Sequence, residues 1–280
     1  EVMDAVLDVA VIRVFVLPVL FNRRFGPEPL NVVNPYEIWL VVVLISGISY
    51  LGYILVKFIG PRQGIRLTGF LGGIISSTPV TFSFSRRSQE EERLAKPFAL
   101  AITVAWAITY VRVLVEVTAL NSRLLSRLWP PMLAAATVGL LYGGYLYLSQ
   151  PTREKREVPF SNPFELETAL KFGLLYAVVL VISKAANVYA GDTGIYLSSF
   201  LSGLPDADAV TLSMAHLSGA AGDSSLSIAT GARAIVIGVM ANTLAKGVIV
   251  MMIGSRKLKR AILPGLVLIL ATGTGVAFLI

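Results

Sequence analysis

The sequence contains no cysteine and a single histidine, His216, and only 15% of its 280 residues are charged. Without cysteine the chain has no disulfide, no thiol nucleophile and no thiolate metal site. One histidine also excludes a metal centre that needs several histidine ligands. Soluble domains carry about 25% charged residues. The low charge therefore indicates that most of this chain lies out of contact with water.

Long apolar stretches fill the chain instead. Hydrophobic residues make up 55% of it, and the mean hydropathy is +0.73. A helix of about 20 apolar residues crosses a hydrocarbon core about 30 Å thick. Windows of that kind lie at 5–21, 37–57, 98–119, 131–149, 167–189, 227–253 and 261–280. We therefore predict an all-α polytopic membrane protein whose surroundings are a lipid bilayer.

The net charge of +7 does not indicate a nucleic-acid partner. Most Lys and Arg residues lie in short loops, where they set the orientation of a membrane protein. A nucleic-acid-binding protein collects its basic residues on one soluble face, and no soluble segment of this chain is long enough to form one. We expect no nucleic acid among the partners.

Two parts of the chain share one pattern. GIRLTGFLGG at 64–73 and GIYLSSFLSG at 194–203 are identical at six of ten positions, and NPYE at 34–37 matches NPFE at 162–165. The register continues without a gap at Val80/Val210, Thr81/Thr211 and Ser83/Ser213. Glycine, hydroxyl residues and Asn-Pro at a common offset predict two homologous repeats.

The repeats divide the chain into four parts. They are a leading transmembrane helix with its linker at 1–33, repeat 1 at 34–150, an inter-repeat loop at 151–162 and repeat 2 at 163–280. The loop is charged and contains proline, which makes it the natural boundary.

The middle segment of each repeat, 64–86 or 194–216, is interrupted by glycine and proline, which disfavour a continuous helix. If both segments span the membrane, the loops carry nine basic residues on one side and ten on the other. If both re-enter, the numbers are fourteen and five, which is the asymmetry that the positive-inside rule expects. We predict inverted repeats, each with a broken, re-entrant or discontinuous helix. Two ordinary kinked helices are the alternative.

Asp206 and Asp208 follow Pro205 at the predicted break of the second middle segment. Ionisable side chains inside a bilayer are costly and indicate function. With Thr211 and Ser213 they form a set of hard oxygen ligands suited to Mg²⁺. The corresponding residues of repeat 1 supply neutral oxygens, and they are Ser76, Ser77, Thr78, Thr81 and Ser83. We predict Asp206 and Asp208 as ligands of a bound divalent cation, with no covalent cofactor. The simpler interpretation is that Asp206 caps the following helix.

A second set of polar residues lies in the apolar windows 98–119 and 227–253. Thr109 aligns with Asn242, and we predict that both line a pathway beside the breaks. Arg112 and Glu116 are four residues apart on one helical face and can neutralise each other. Together with Lys246 they are predicted as supporting charges. Helix packing is the alternative for all of them, and it is favoured for the Arg112–Glu116 pair.

Several motifs in order resemble one known family. They are NPYEIWLVVVLISGISYLGY, GPRQGIRLTGFLGGIISSTPVTFSFSRR, RVLVEV, NPFEL, SGLPDADAVTLSMA and ANTLAKG. Together, over about residues 30–255, they are similar to the carboxyl-terminal membrane domain of unknown function in longer MgtC/SapB-type proteins. The resemblance implies a prokaryotic inner (plasma) membrane and a link to magnesium homeostasis. It implies no established activity or ligand list for this domain.

We predict a membrane cation channel or secondary transporter and no enzyme, with a Mg²⁺-like divalent cation favoured and the site at the repeat interface. Arg112, Lys171 and Lys246 lie in apolar windows and support an alternative, a transporter of a small anionic or zwitterionic metabolite. A non-transporting regulatory subunit is the third possibility. Glycines at 47, 143 and 144 predict close helix contacts and a homodimer.

Overall fold

The computed structural model describes residues 21–59, 65–149, 166–219 and 226–278. In these ranges the regular structure is helical and contains no β-strand, which confirms the predicted all-α class. The predicted leading helix, the inter-repeat loop and the NPFE motif lie outside the described residues.

Nine α-helices lie within the described residues. Those of the first half are α1 (Pro35–Ile59), α2 (Ile65–Ile75), α3 (Ser77–Glu90), α4 (Ala95–Leu120) and α5 (Leu125–Leu148). Those of the second half are α6 (Leu166–Gly203), α7 (Ala207–Gly219), α8 (Ile228–Ile253) and α9 (Arg256–Ala277). Five helical stretches are long and apolar enough to cross a membrane, at 92–120, 122–148, 170–203, 228–253 and 256–277. The chain is therefore a multi-pass membrane protein, as predicted.

The distribution of side chains also suits a bilayer. Large apolar residues are exposed on the outside of the bundle, including Leu141, Leu148 and Met252. Ionisable residues lie inside it, where Glu116 and Lys246 are 0% and 4% exposed. A protein in water shows the reverse pattern, because unpaired charges are rarely buried there. In lipid the apolar atoms face outward and the polar groups must find partners within the bundle.

Small residues bring α2 and α4 into close contact. Gly69 lies against Ala101, and an ideal Cβ on Gly73 would lie 2.7 Å from the Cα of Ala105. Because residues four apart on α2 meet residues four apart on α4 in the same order, the two helices run parallel. Closely spaced small residues permit such an approach of two backbones in a membrane.

The chain reverses direction at Ser76, where α2 ends and α3 begins. The rings of Phe84 and Phe98 stack with centroids 5.1 Å apart, so the later part of α3 lies beside the start of α4. Residues 91–94 then lead directly into α4. The helix α3 therefore runs antiparallel to α4, whereas α2 runs parallel to it.

The second half has the same arrangement. Gly203 at the end of α6 lies against the backbone of Gly238 in the middle of α8. The end of α7 lies beside the start of α8, because Ser218 packs on Gly231. The last part of α6 thus runs parallel to α8, and α7 returns antiparallel to it. The reversal occupies residues 204–206.

The long helix α6 is bent within its span, at Gly191, whose φ of 55° and ψ of −145° are not helical. An ideal Cβ on Gly194 would lie 2.5 Å from the carbonyl oxygen of Ala186. Residues eight apart in a straight helix are about 12 Å apart. The segment therefore consists of two helices that fold back on each other, and the apolar window predicted at 167–189 corresponds to the first of them.

The short helices also connect the two halves. At the end of α3, Gln89 Nε2 donates to the carbonyl oxygens of Ile253 and Gly254, each at 3.1 Å, at the end of α8. Near the end of α7, the Ala215 carbonyl oxygen accepts from Asn121 Nδ2 at 3.2 Å, at the end of α4. The start of α4 therefore lies near the end of α8, so these two helices are antiparallel.

The close approach of α2 and α4 predicts a loss of stability in a Gly73→Ala variant. The added Cβ meets backbone atoms of Ala105 that cannot move aside, and overpacking of this kind costs about 1–3 kcal/mol. We expect a lower thermal unfolding midpoint in detergent. Gly144→Ala is the matched control, because no atom lies within 4 Å of an ideal Cβ there. Equal unfolding temperatures for the two variants would contradict the close contact between α2 and α4.

Candidate functional site

The two reversals meet at the middle of α4 and α8. Ser77, at the start of α3, contacts Thr109 of α4, and Asn242 Nδ2 of α8 donates to the Leu204 carbonyl oxygen at 3.4 Å. The helices α4 and α8 also bond to each other there, between the hydroxyl oxygens of Tyr110 and Thr243 at 2.7 Å. A polar cluster thus forms about halfway along both helices.

Arg112 of α4 makes the largest number of these contacts. Its Nη1 donates to the carbonyl oxygens of Ile74 and Ile75, at 3.3 and 2.9 Å, which are left without helical partners at the end of α2. Its Nε donates to Glu116 Oε1 at 3.1 Å, and its Nη2 donates to Asp208 Oδ2. A cation at a helix carboxyl terminus also interacts favourably with the helix dipole. One side chain therefore holds α2, α4 and α7 together.

The two predicted metal ligands have different partners. Oδ1 of Asp206 accepts from the backbone N–H groups of Asp208 and Ala209, at 2.7 and 3.0 Å. Asp206 therefore caps α7, and its side chain is half-buried. Asp208 is buried and forms the ion pair with Arg112. The structure brings both carboxylates to the reversal but gives Asp208 a basic partner that the spacing did not predict.

Lys246 of α8 reaches across to the first turn of α3. Its Nζ donates to Ser77 Oγ at 2.7 Å, and Ser77 Oγ lies 2.9 Å from Thr109 Oγ1. The ammonium group is thus buried beside a neutral hydroxyl at a helix amino terminus, where the helix dipole disfavours a cation. A basic side chain from each of α4 and α8 therefore reaches the short helix of the other half.

The remaining predicted residues of the first half of the chain differ in burial. Ser76 and Thr78 are half-buried at the reversal. Thr81 is buried, donates to the Ser77 carbonyl oxygen at 2.8 Å and accepts from Trp106 Nε1 at 2.9 Å. Ser83 is exposed, so the structure does not bring it into the cluster. It lies two residues from Thr81 and hence on the opposite face of α3.

In the second half of the chain, Thr211 and Ser213 are both fully buried, because α7 is enclosed on all sides over residues 207–215. Neither hydroxyl has a hydrogen-bond partner in the described part of the chain. Lys171 is exposed near the start of α6, away from the reversals. Trp106, Tyr110 and Thr243 belong to the polar cluster and were not predicted, although Tyr110 and Thr243 each follow a residue that was.

His216 lies apart from this cluster, with its Nε2 3.5 Å from Glu37 Oε2 at the start of α1. Burial lowers the pKa of His216 below its usual value, and the Glu37 carboxylate opposes this shift. The lowered pKa favours the neutral form of the imidazole.

The charges of the cluster are three carboxylates, Glu116, Asp206 and Asp208, and two bases, Arg112 and Lys246. Within residues 21–59, 65–149, 166–219 and 226–278, no three His, Asp or Glu side chains are placed to hold a metal together. A cation would therefore be held by one or two carboxylates together with hydroxyl and backbone carbonyl oxygens. Such ligands suit a hard cation.

Comparison with known proteins gives a family without a described activity. The chain belongs to the family described as "Domain of unknown function (DUF4010)", which matches residues 43–254. A protein of Aquifex aeolicus (strain VF5) named "Uncharacterized protein" is 36% identical over 195 residues, 69% of this chain and 84% of that protein. No solved structure matches the chain. The resemblance to MgtC/SapB-type proteins stays a prediction.

The contacts of Arg112 predict that its loss is severe. Arg112→Met leaves Glu116 and Asp208 buried without their basic partner, which costs about 3–5 kcal/mol. We expect a large fall in the thermal unfolding midpoint in detergent, and a partial recovery when Asp208→Asn removes one of the two charges. The exposed Arg260 provides the control, since Arg260→Met should change little. Equal midpoints for the two arginine variants would contradict the network.

Proposed function

We propose that this family member is a secondary transporter of a small cation, with its site where the two reversals meet between α4 and α8. The observation that carries the proposal is the ion pair between Arg112, inside a helix that can cross a membrane, and Asp208, in the first turn of α7. Ionisable groups at that depth are expensive to bury and are typical of ion pathways.

The ion pair supports transport because Arg112 can balance the charge of Asp208 whenever no cation is bound. In the described structure Arg112 neutralises Asp208, while Asp206 is held by backbone N–H groups at the start of α7. An arriving cation replaces Arg112 as the counter-charge of the carboxylate, and Arg112 keeps Glu116 and the carbonyl oxygens of α2 as partners. Asp208 thus has a counter-charge with and without cargo, as a buried carboxylate inside a membrane requires.

The nature of the oxygens favours a hard cation, and we propose a Mg²⁺-like divalent ion as the cargo. Asp206 and Asp208 supply the carboxylates, and Ser76 and Thr78 lie at the opposing reversal. Asn242 and Thr109 hold the two reversals in place through their bonds to Leu204 and Ser77. A carrier fits better than an open channel, because Asp208 and Lys246 are only 7% and 4% exposed.

Inverted repeats are part of the proposal, and matched contacts support them. Gly73 aligns with Gly203, and Ala105 aligns with Gly238. Gly73 contacts Ala105 closely, and Gly203 contacts Gly238 in the same way. The corresponding helices α4 and α8 are antiparallel, as an inversion requires. Each reversal would then be a re-entrant hairpin, and sites between such broken helices are common in secondary transporters.

A second candidate has its own observation. Lys246 lies beside the first turn of α3, and a helix amino terminus with a cation beside it favours an anion. A carboxylate of a small anionic or zwitterionic metabolite would fit there.

We also propose, from the resemblance alone, a prokaryotic inner membrane. The open faces at Gly47 and Gly144 support a homodimer, whereas Gly143 is covered by Leu100 and Val104.

Flux into proteoliposomes tests the proposal, with fluorescent readouts for Mg²⁺, Mn²⁺, K⁺ and Na⁺. In Asp206→Asn the helix cap is retained, since Asn caps as well as Asp, and only the charge is lost. Losing a contact to a charged group, about 1.5–3 kcal/mol, predicts a fall in flux of about tenfold or more. Asp208→Asn should give the same result.

Asp192→Asn is the matched control, because Asp192 is an exposed carboxylate on α6 outside the cluster. Unchanged flux in both cluster variants would overturn the cation site. Absence of flux for every cation, together with thermal stabilisation by organic acids, would favour the metabolite transporter. Absence of both would favour the non-transporting regulatory subunit.

A further inference from the structure

We infer that α3 and α7 line two water-accessible half-paths, which lead from the central cluster to opposite faces of the membrane and carry water with a proton or a small hydrated cation. The inference rests on the proposed location of the site but not on the identity of the cargo.

The first half-path follows the hydroxyl groups of α3. Ser77, Thr81, Ser85 and Ser88 are spaced by four, four and three residues, so they lie on one face of the helix. All four are buried, and Ser85 Oγ has no hydrogen-bond partner among the described residues. The stripe begins at the hydroxyl that binds Lys246 and ends at Ser88 Oγ, which accepts from the backbone N–H of Ser255.

The second half-path follows α7 from Asp208 through Thr211 to Ser218. These residues share one face of the helix and are buried. Neither Thr211 Oγ1 nor Ser218 Oγ has a hydrogen-bond partner within the described ranges. In the repeat alignment Thr211 and Ser218 correspond to Thr81 and Ser88, so both short helices carry hydroxyls at the same two positions.

Unpartnered hydroxyls inside a protein indicate a missing ligand. A buried hydroxyl without a partner carries the full cost of its lost hydration, and native structures satisfy nearly all such groups. Buried water typically bonds to polar groups that have no partner within the protein. Four unpartnered hydroxyls, Ser85, Thr211, Ser213 and Ser218, lie on the two helices that start at the charge cluster, and all but Ser213 belong to the two hydroxyl stripes. This position connects the expected waters with the site.

The two helices lead to opposite sides. The later part of α3 lies beside Phe98, near the start of α4, and the end of α7 lies beside Asn121, just after the last residue of α4. These positions on α4 are separated by 23 residues of sequence, or about 35 Å along a helix, which is enough to cross the hydrocarbon core. Arg112 lies between them, so the cluster separates the two half-paths.

The absence of cysteine permits a direct test by labelling. Ser85→Cys and Thr211→Cys place single thiols at fully buried positions, and neither change adds a heavy atom to the side chain. A membrane-impermeant cationic thiol reagent is added to one side of oriented vesicles at a time. Val80→Cys and Val210→Cys are matched controls, because these buried apolar residues lie next to the hydroxyl stripes and correspond to each other in the repeats.

We expect Ser85→Cys to react from one side and Thr211→Cys from the other. Each should react about tenfold faster or more than its valine control, since an apolar environment excludes a charged reagent. Ser218→Cys replaces Thr211→Cys if that variant fails to fold. Labelling of both thiols from the same side, or of neither above its control, overturns the half-paths. Expected labelling without flux for any cation leaves the half-paths standing and contradicts only the cation proposal.

Discussion

The structure depends on the pairing of buried charges inside the helix bundle, with Arg112 at the centre. Arg112 satisfies the open carbonyl oxygens of α2, neutralises Asp208 on α7 and binds Glu116 on its own helix. Because the pair with Asp208 joins one half of the chain to the other, the end of α2 and the start of α7 lie close together. The cost of an unpaired charge in lipid is several kcal/mol, which is enough to fix this arrangement.

The two reversals meet because each short helix, α3 or α7, contacts the long helices of both halves. The helix α3 lies on α4 and reaches the end of α8, and α7 lies on α8 and reaches the end of α4. Small residues at Gly73 and Gly203 let the first arm of each reversal pack tightly on its own half. The helix that follows each reversal, α3 or α7, then contacts the other half of the chain. This contact places polar side chains of both halves in one cluster.

The sequence was sufficient to predict the helical membrane class and the apolar windows, because composition and length decide them. It also indicated interruptions near Ser76 and Pro205, where glycine and proline disfavour helix. It did not indicate the partner of Asp208, since Arg112 is 96 residues away and long-range pairing depends on packing. Ser83 and Ser213 are aligned, yet one is exposed and the other buried, because the neighbours of α3 and α7 differ.

The central claim is that each short helix ends against the long helix of the other half. An ideal Cβ on Gly219 lies 3.9 Å from the Cβ of Asn121, and disulfides join Cβ atoms about 3.5–4.5 Å apart. The most direct measurement is therefore disulfide formation in an Asn121→Cys, Gly219→Cys double variant in membranes. The account predicts rapid and nearly complete cross-linking within one chain under mild oxidation. Failure to form the bond, with both thiols reactive to a small reagent, would contradict the contact between the end of α7 and the end of α4.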